Sequence, residues 1–295
     1  MFDLVVIGGG PAGLSAGIYG ARLGLNVLVL EREKLGGKVL DAPFIENFPG
    51  FYGKGSELAS RFMSHAVNSG VLIKRGEVLG VELDGDIKMV FTSMGDFSSR
   101  SVIIASGAGY KLLGVPGEGE LIGNGIFFCA VCDGPYFEGK RACVVGAGDT
   151  GITNALYLLN FAREVIVIEA LEKPTASRSL LERALSDERI SFLFSKRIEG
   201  FERDGEDVVV CVGDGRVKVG GVILSAGLSP NTGYLPSDIL EDGWVLTDGL
   251  MRTKFPGVFA CGDVRKNSPR QIITAVSDGA VASIMAHKYL RGDDG

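Results

Sequence analysis

Residues 5–31, VVIGGGPAGLSAGIYGARLGLNVLVLE, return at residues 143–169 as CVVGAGDTGITNALYLLNFAREVIVIE, without a gap and at an offset of 138. Gly8, Gly10, Gly13, Tyr19, Val27, Val29 and Glu31 fall on Gly146, Gly148, Gly151, Tyr157, Val165, Val167 and Glu169. Each copy reads as a strand, a tight glycine turn, a helix and a second strand ending in an acid. The first glycine permits the turn, the second lets backbone approach a pyrophosphate, and the third lets the helix pack closely on the strand. Unpaired amides at the helix N-terminus then face the phosphates, and the terminal carboxylate accepts from a ribose diol. One such fingerprint is weak evidence. Two copies, each with its acid, predict an α/β chain with two dinucleotide folds.

Between the copies lies CAVCDG, with Cys129 and Cys132 two residues apart and Asp133 directly behind. A structural disulfide, half of a zinc site and a redox dithiol all fit this spacing. The chain has five cysteines, with Cys143, Cys211 and Cys261 scattered, so it lacks the density of a secreted disulfide scaffold. Zinc needs about four ligands, and the two histidines, His65 and His287, are unpaired in sequence. The redox pair is favoured. Cys143 and Cys211 occupy apolar strand positions, where cysteine acts as a small hydrophobe, and Cys261 has no resolving partner in sequence.

A length of 295 residues suggests two domains at about 150 residues each. The net charge of −6 and the absence of a long basic run argue against nucleic acid. No run of about 18 apolar residues predicts a membrane span, and Asp3 stands where a signal peptide would be basic. A cytoplasmic location is expected. The 44 glycines are dispersed among apolar runs, which points to local backbone geometry rather than low complexity.

Over almost its whole length the chain resembles the low-molecular-weight thioredoxin reductases, through GGGPAG (Gly8 to Gly13), EREKLGGK (Glu31 to Lys38), ENFPG (Glu46 to Gly50), IIASGA (Ile103 to Ala108), CAVCDG, GVFACGDV (Gly257 to Val264) and RQIITAVSDGAVA (Arg270 to Ala282). The resemblance implies two Rossmann-like three-layer dinucleotide-binding domains, the second inserted into the first. The expected bounds are 1–112 and 243–295 for the FAD domain and 113–242 for the inserted one. It implies an FAD site at Gly8, Gly10, Pro11, Ala12, Gly13, Glu31, Gly36, Gly37, Lys38, Asn47, Gly107, Gly262, Asp263, Arg270, Gln271 and Ile272. Asn47 would contact the flavin, Asp263 the ribityl or pyrophosphate region, and Arg270, Gln271 and Ile272 would line the flavin. A nucleotide site would follow at Gly146, Gly148, Asp149, Thr150, Gly151, Glu169 and Gly227.

By the same resemblance, Cys132 faces the flavin as the charge-transfer thiolate, Cys129 attacks the partner's disulfide, and Asp133 is the general acid and base. A helix beginning near Cys132 would favour thiolate there, and desolvation beside thiolates would raise Asp133. The implied partner is thioredoxin or a glutaredoxin-like protein, and the implied assembly a homodimer. The inserted domain is expected to rotate on hinges at 112–121 and 240–249.

Two departures matter. Where NADPH-dependent relatives carry a basic HRRxxxR stretch for the 2′-phosphate, this chain reads EALEKPT, Glu169 to Thr175. Two unit charges 4 Å apart interact by roughly 4 kcal/mol at moderate dielectric, so a carboxylate at Glu169 disfavours NADPH. NADH is favoured over it, and ferredoxin or a reduced deazaflavin remains an alternative donor. Lys38 stands where the family usually has glutamine. A dithiol oxidase that uses oxygen and a non-catalytic flavoprotein are the competing readings.

Overall fold

The computed structural model describes residues 1–42, 45–213 and 215–293, with the side chains of Asp41, Glu46 and Cys132 outside the description. Strand β1 (Phe2–Ile7) leads through the first glycine turn into helix α1 (Pro11–Arg22) and strand β2 (Val27–Glu31). Pro11 suits the start of α1, because its missing N–H is one a helix leaves unpaired anyway. Helix α2 (Gly55–Asn68) and strands β3 (Leu72–Arg75), β4 (Val78–Glu82), β5 (Lys88–Thr92) and β6 (Phe97–Ile104) complete the first half.

The chain then builds strand β7 (Ile126–Phe127), the short helix α3 (Ala130–Asp133), strand β8 (Arg141–Val145), helix α4 (Asp149–Leu158) and strand β9 (Glu164–Ile168). Helix α5 (Arg178–Leu185) and strands β10 (Ile190–Leu193), β11 (Ile198–Asp204), β12 (Asp207–Val212), β13 (Gly215–Val219) and β14 (Gly221–Leu224) follow. Strand β15 (Val258–Ala260) and helix α6 (Ile272–Arg291) return to the first half.

Two compact units result: Met1–Gly109 with Ser229–Gly295, and Tyr110–Leu228. In the first, the sheet order is β3-β2-β1-β6-β5-β4, with β15 also paired to β6. Strands β2, β1, β6 and β15 run parallel, in register Leu4↔Val27, Leu4↔Ser101 and Val258↔Val102. In the second unit the parallel order is β7-β14-β8-β9-β10, with β11-β12-β13 as a separate antiparallel sheet.

Buried strands alternate between two cores. Leu4 and Val6 pack with Leu14 of α1 and Ala282 of α6, while Val5 and Ile7 pack with Val90 and Ile239 on the opposite face. The second unit repeats the plan: Ala142 and Val144 pack with Ile152 and Leu158, and Cys143 and Val145 with Phe201 and Val210. Each unit thus has a set of parallel strands with helices on one face; in the first unit β5 and β4 extend the sheet antiparallel, and in the second the β11-β12-β13 sheet packs on the other face. This is the expected α/β class, two Rossmann-like three-layer folds with the second inserted into the first.

The second crossing lies at 228/229, earlier than the expected 242. Leu235, Ile239 and Val245 belong to the core of the first unit, so the glycine-rich and acidic stretch 240–249 is anchored there instead of linking the units. The first crossing, at 109/110, precedes the expected stretch 112–121. Glu118, only 3% exposed, accepts the amides of Leu113 and Gly114 at 2.7 Å each, which ties that stretch into the second unit.

Candidate active site

At the first glycine turn, Gly8 has φ +113°, and a Cβ there would lie 2.2 Å from the Ala105 carbonyl oxygen. A Cβ on Gly13 would lie 1.8 Å from the Gly8 carbonyl oxygen, so strand end and helix meet at a distance no other residue allows. Gly10 caps α1, faces open space, and leaves the first-turn amides without a side-chain cap. Glu31 holds the turn from below: Gly9 N–H donates to Oε2 at 2.7 Å and Glu33 N–H to Oε1 at 2.8 Å. Gly36 N–H donates to the Gly9 carbonyl at 2.8 Å, which brings Gly36, Gly37 and Lys38 over the turn. An open glycine at an uncapped helix N-terminus is what a pyrophosphate requires, and the cradle fits FAD.

The return segment closes on the same helix. A Cβ on Gly262 would lie 2.8 Å from the Ala12 Cβ, and one on Gly279 2.1 Å from the Ala12 carbonyl oxygen. Asp263 is half-buried; burial pushes its carboxyl up, opposed by the charges of Lys38 and Arg270. Lys38, Asp263 and Arg270 therefore share one electrostatic neighbourhood. Arg270 adopts φ +56° and lays its guanidinium 4.5 Å from the Trp244 ring centroid. Gln271 caps α6 in a capping box with Thr274, and its Oε1 accepts from Asn47 Nδ2 at 3.1 Å. Ile272 packs on the small core of Val39, Ile45, Leu58 and Ala59. Gly107, at φ +65°, faces open space; its loop is held by Ser106 and Asn231, which exchange two 2.8 Å bonds, and by Tyr234.

Sequence reasoning missed Asp278. Buried in α6, it accepts from Arg265 at 3.0 and 2.9 Å and from Gly262 N–H at 3.1 Å, and so fixes the CGD turn. Its motif was visible, but the partner arginine was not. An acid seven residues into an apolar helix was the available signal.

The second turn copies the first. Gly146 has φ +104°, with its missing Cβ 2.5 Å from the Ser225 carbonyl oxygen, and a Cβ on Gly151 would lie 1.9 Å from the Gly146 carbonyl oxygen. Glu169, 9% exposed, accepts Ala147 N–H on Oε2 at 2.7 Å and Leu171 N–H on Oε1 at 3.0 Å. The loop 170–177 folds back: Thr175 and Ala176 amides reach the Ala147 carbonyl at 3.1 and 3.2 Å. Ser177 N–H reaches Asp149 Oδ1 at 2.6 Å. Gly148 meets only Thr175 Oγ1 at 3.4 Å, and Thr150 is exposed. Gly227, at φ +98°, is open and accepts Lys111 N–H at 3.0 Å.

Cys129 is half-buried and disulfide-bonded. The helix that follows starts at Ala130, two residues earlier than expected: Asp133 N–H donates to the Cys129 carbonyl at 3.0 Å, which makes Cys129 its N-cap. The Cys132 side chain, and with it that residue's assigned role, lies outside the described residues. Asp133 is half-buried.

Cys143, Cys211 and Cys261 are free thiols. Burial pushes Cys143 up to about 12 and Cys261 higher still, so both stay protonated. Cys211 is not the apolar core residue expected: it is partly exposed, with Sγ 3.6 Å from Glu202 Oε1, on the opposite face of β12 from Val208, Val210 and Val212. Among the described residues no group of three or more His, Cys, Asp or Glu could hold a metal, and no helix is long and apolar enough to cross a membrane.

A helix N-terminus open to pyrophosphate in one unit, and a cysteine-bonded helix feeding a second dinucleotide fold in the other, define an FAD-dependent oxidoreductase. The chain belongs to the pyridine nucleotide-disulphide oxidoreductase family, whose model matches residues 2–279. It is 37% identical over 300 residues to the thioredoxin reductase of Listeria monocytogenes, covering 98% of this chain and 94% of that one. The solved thioredoxin reductase of Lactococcus lactis is 36% identical, with a TM-score of 0.89 and 99% and 100% of the two chains covered. A ferredoxin-flavin thioredoxin reductase from Clostridium acetobutylicum is 27% identical, with a TM-score of 0.56 and 99% and 98% covered.

Proposed function

We propose that this protein is a thioredoxin-disulfide reductase in which electrons pass from NADH through FAD and the Cys129/Cys132 dithiol to a thioredoxin-like protein. The observation that carries the reading is Cys129, disulfide-bonded at the N-cap of the helix that leads into the second dinucleotide fold. Bound FAD supplies hydride acceptance and two-electron delivery to a disulfide. The chain supplies the rest. Gly8, Gly10, Gly13 and α1 would hold the pyrophosphate, with Glu31 at the ribose. Cys129 would attack the partner's disulfide, and Asp133 would move the proton.

The choice of donor rests on Glu169. Its carboxylate is buried and fixed by two backbone amides, so it cannot swing away from an incoming 2′-phosphate. A 2′-hydroxyl can donate to it; a phosphate dianion is repelled. Anaerobic titration of the yellow protein with NADH, then NADPH, with dithionite as control, tests this. Flavin bleaching by NADH at least 100-fold more efficient than by NADPH is expected. Equal bleaching by both would overturn the NADH assignment.

A second reading, a ferredoxin-type or deazaflavin donor, draws on Asp149. Its carboxylate stands in the first turn of α4, where a pyrophosphate would need amides alone, and is engaged by Ser177. Bleaching by neither nucleotide, with dithionite still effective, selects it. A dithiol oxidase would instead consume oxygen with a dithiol and no nucleotide. A glutaredoxin-like alternative substrate, a homodimer and a cytoplasmic location belong to the same proposal; sedimentation tests the dimer.

A further inference from the structure

Inside the second unit, Asn154 bridges the redox helix and the dinucleotide turn. It sits on the inner face of α4, 7% exposed. Its Oδ1 accepts Ala130 N–H at 3.2 Å, and its Nδ2 donates to Ser225 Oγ at 3.0 Å. Ala130 is fully buried and follows Cys129 directly, so its amide is a first-turn donor with no water to turn to. Ser225 is itself fixed, donating its N–H to the Val145 carbonyl at 2.8 Å and presenting its own carbonyl to Gly146. The side-chain amide thus has one end on the residue after Cys129 and the other on the residue that the glycine turn packs against.

We propose that Asn154 is a positioning residue for the dithiol: by holding the Ala130 amide it fixes the backbone at Cys129 in the disulfide-closing geometry and so sets the thiol–disulfide equilibrium. Closing a disulfide depends on the effective concentration of one thiol at the other, and that concentration falls when the backbone between them is free to reorient. A neutral amide does this without placing a charge beside thiolates. Asn154 touches neither sulfur in this role; it acts through Ala130. The proposal rests on the reading of Cys129 and Cys132 as the redox pair.

The test uses the FAD-loaded protein, equilibrated with glutathione buffers, with hydrogen exchange read at Ala130. Asn154→Leu keeps the bulk and removes both hydrogen bonds. It is expected to shift the equilibrium about tenfold toward the dithiol, about 30 mV, and to speed exchange at Ala130 at least tenfold, with flavin content unchanged. Asn154→Asp keeps an acceptor for Ala130 and should restore its protection to within about threefold of the parent, while the charge it adds beside the thiols keeps the equilibrium out of this comparison. A side chain that merely fills space would lower the melting temperature in Asn154→Leu and leave the equilibrium where it was, and that result overturns the proposal. So does failure of Asn154→Asp to restore protection at Ala130. If Asn154→Leu does not fold, Ser225→Ala decides, because it releases the far end of the relay. A shift of a few-fold toward the dithiol supports the proposal, and none refutes it. Undiminished thioredoxin reduction by Cys129→Ser would remove the functional reading alone, since Ala130 exchange is measured independently of any partner.

Discussion

At the first glycine turn the helix begins with Pro11 and has no acid in its first turn; at the second, Asp149 stands in that place. The scaffolds beneath are otherwise matched bond for bond. Gly9 and Ala147 each donate to a strand-end glutamate, and Glu33 and Leu171 donate to its other oxygen. Gly36 and Thr175 each return an amide to the turn carbonyl. The backbone repeat therefore sets the cradle, and the residues at the helix mouth set what enters it. One mouth is open and has no acid in the first turn of its helix. The other adds Asp149 to the strand-end carboxylate that both turns share, Glu31 in the first and Glu169 in the second.

The largest expected effect separates the turns outright. Gly8→Ala and Gly146→Ala both force a Cβ to within 2.5 Å of a carbonyl oxygen in a left-handed backbone, so each should destroy its own cradle. Gly8→Ala is expected to lose more than about 90% of its flavin absorbance, a loss no ordinary packing defect produces. Gly146→Ala should stay yellow and lose reduction by NADH while dithionite still bleaches it. If Gly146→Ala also loses flavin, the two cradles do not work independently. Next in size, Glu31→Ala and Glu169→Ala each remove two charge-assisted bonds of about 1.5–3 kcal/mol apiece. The first should raise the FAD dissociation constant, and the second the KM for NADH, each at least about tenfold. Fluorescence titration and steady-state kinetics check them, and crossed effects would count against the assignment of one ligand to each turn.

Both turns were legible in the sequence because everything that builds them is local: glycines at fixed spacing, an acid at the end of the next strand, and an exact offset between copies. The pairings that lock them were not. Asp278 meets Arg265, and Asn154 meets Ser225, across 13 and 71 residues of chain, and nothing in the spacing announces such partners. The stretch 240–249 misled for a different reason. Its glycines and acids read as a linker, yet Val245, fully buried, anchors it in the first unit's core. Cys211 misled by register: its apolar neighbours fill the core, but the pleat turns every second side chain outward.

Asp149 offers a smaller, sharper test of the difference at the helix mouths. Asp149→Asn keeps an oxygen for Ser177 N–H and removes the charge from a helix N-terminus, where a charge is worth about 0.3–1 kcal/mol. Against an incoming pyrophosphate the sign is repulsive, so the variant should lower the KM for NADH about two- to fivefold with kcat unchanged. The matching change in the first unit, Pro11→Asp, should weaken FAD by a similar factor. A KM that rises in Asp149→Asn would mean that the carboxylate orders the 170–177 loop more than it repels the ligand.

The smallest effect concerns Asp263, which the return segment gives to the first unit and which has no counterpart in the second. Burial raises its carboxyl above the ordinary value near 4, while Lys38 and Arg270 pull the other way. Between the unfolded and folded values the native chain binds more protons than the unfolded one, so stability falls as pH rises through that window. Asp263→Asn removes the group that titrates. In the FAD-free protein, urea melts should show the variant gaining stability over the parent as pH increases from about 4 to 7, with little difference at the acid end. The opposite slope, with the variant losing ground as pH rises, would mean that the attraction of Lys38 and Arg270 outweighs burial. The neighbourhood would then be a net positive one, set to receive a negative charge on the bound cofactor.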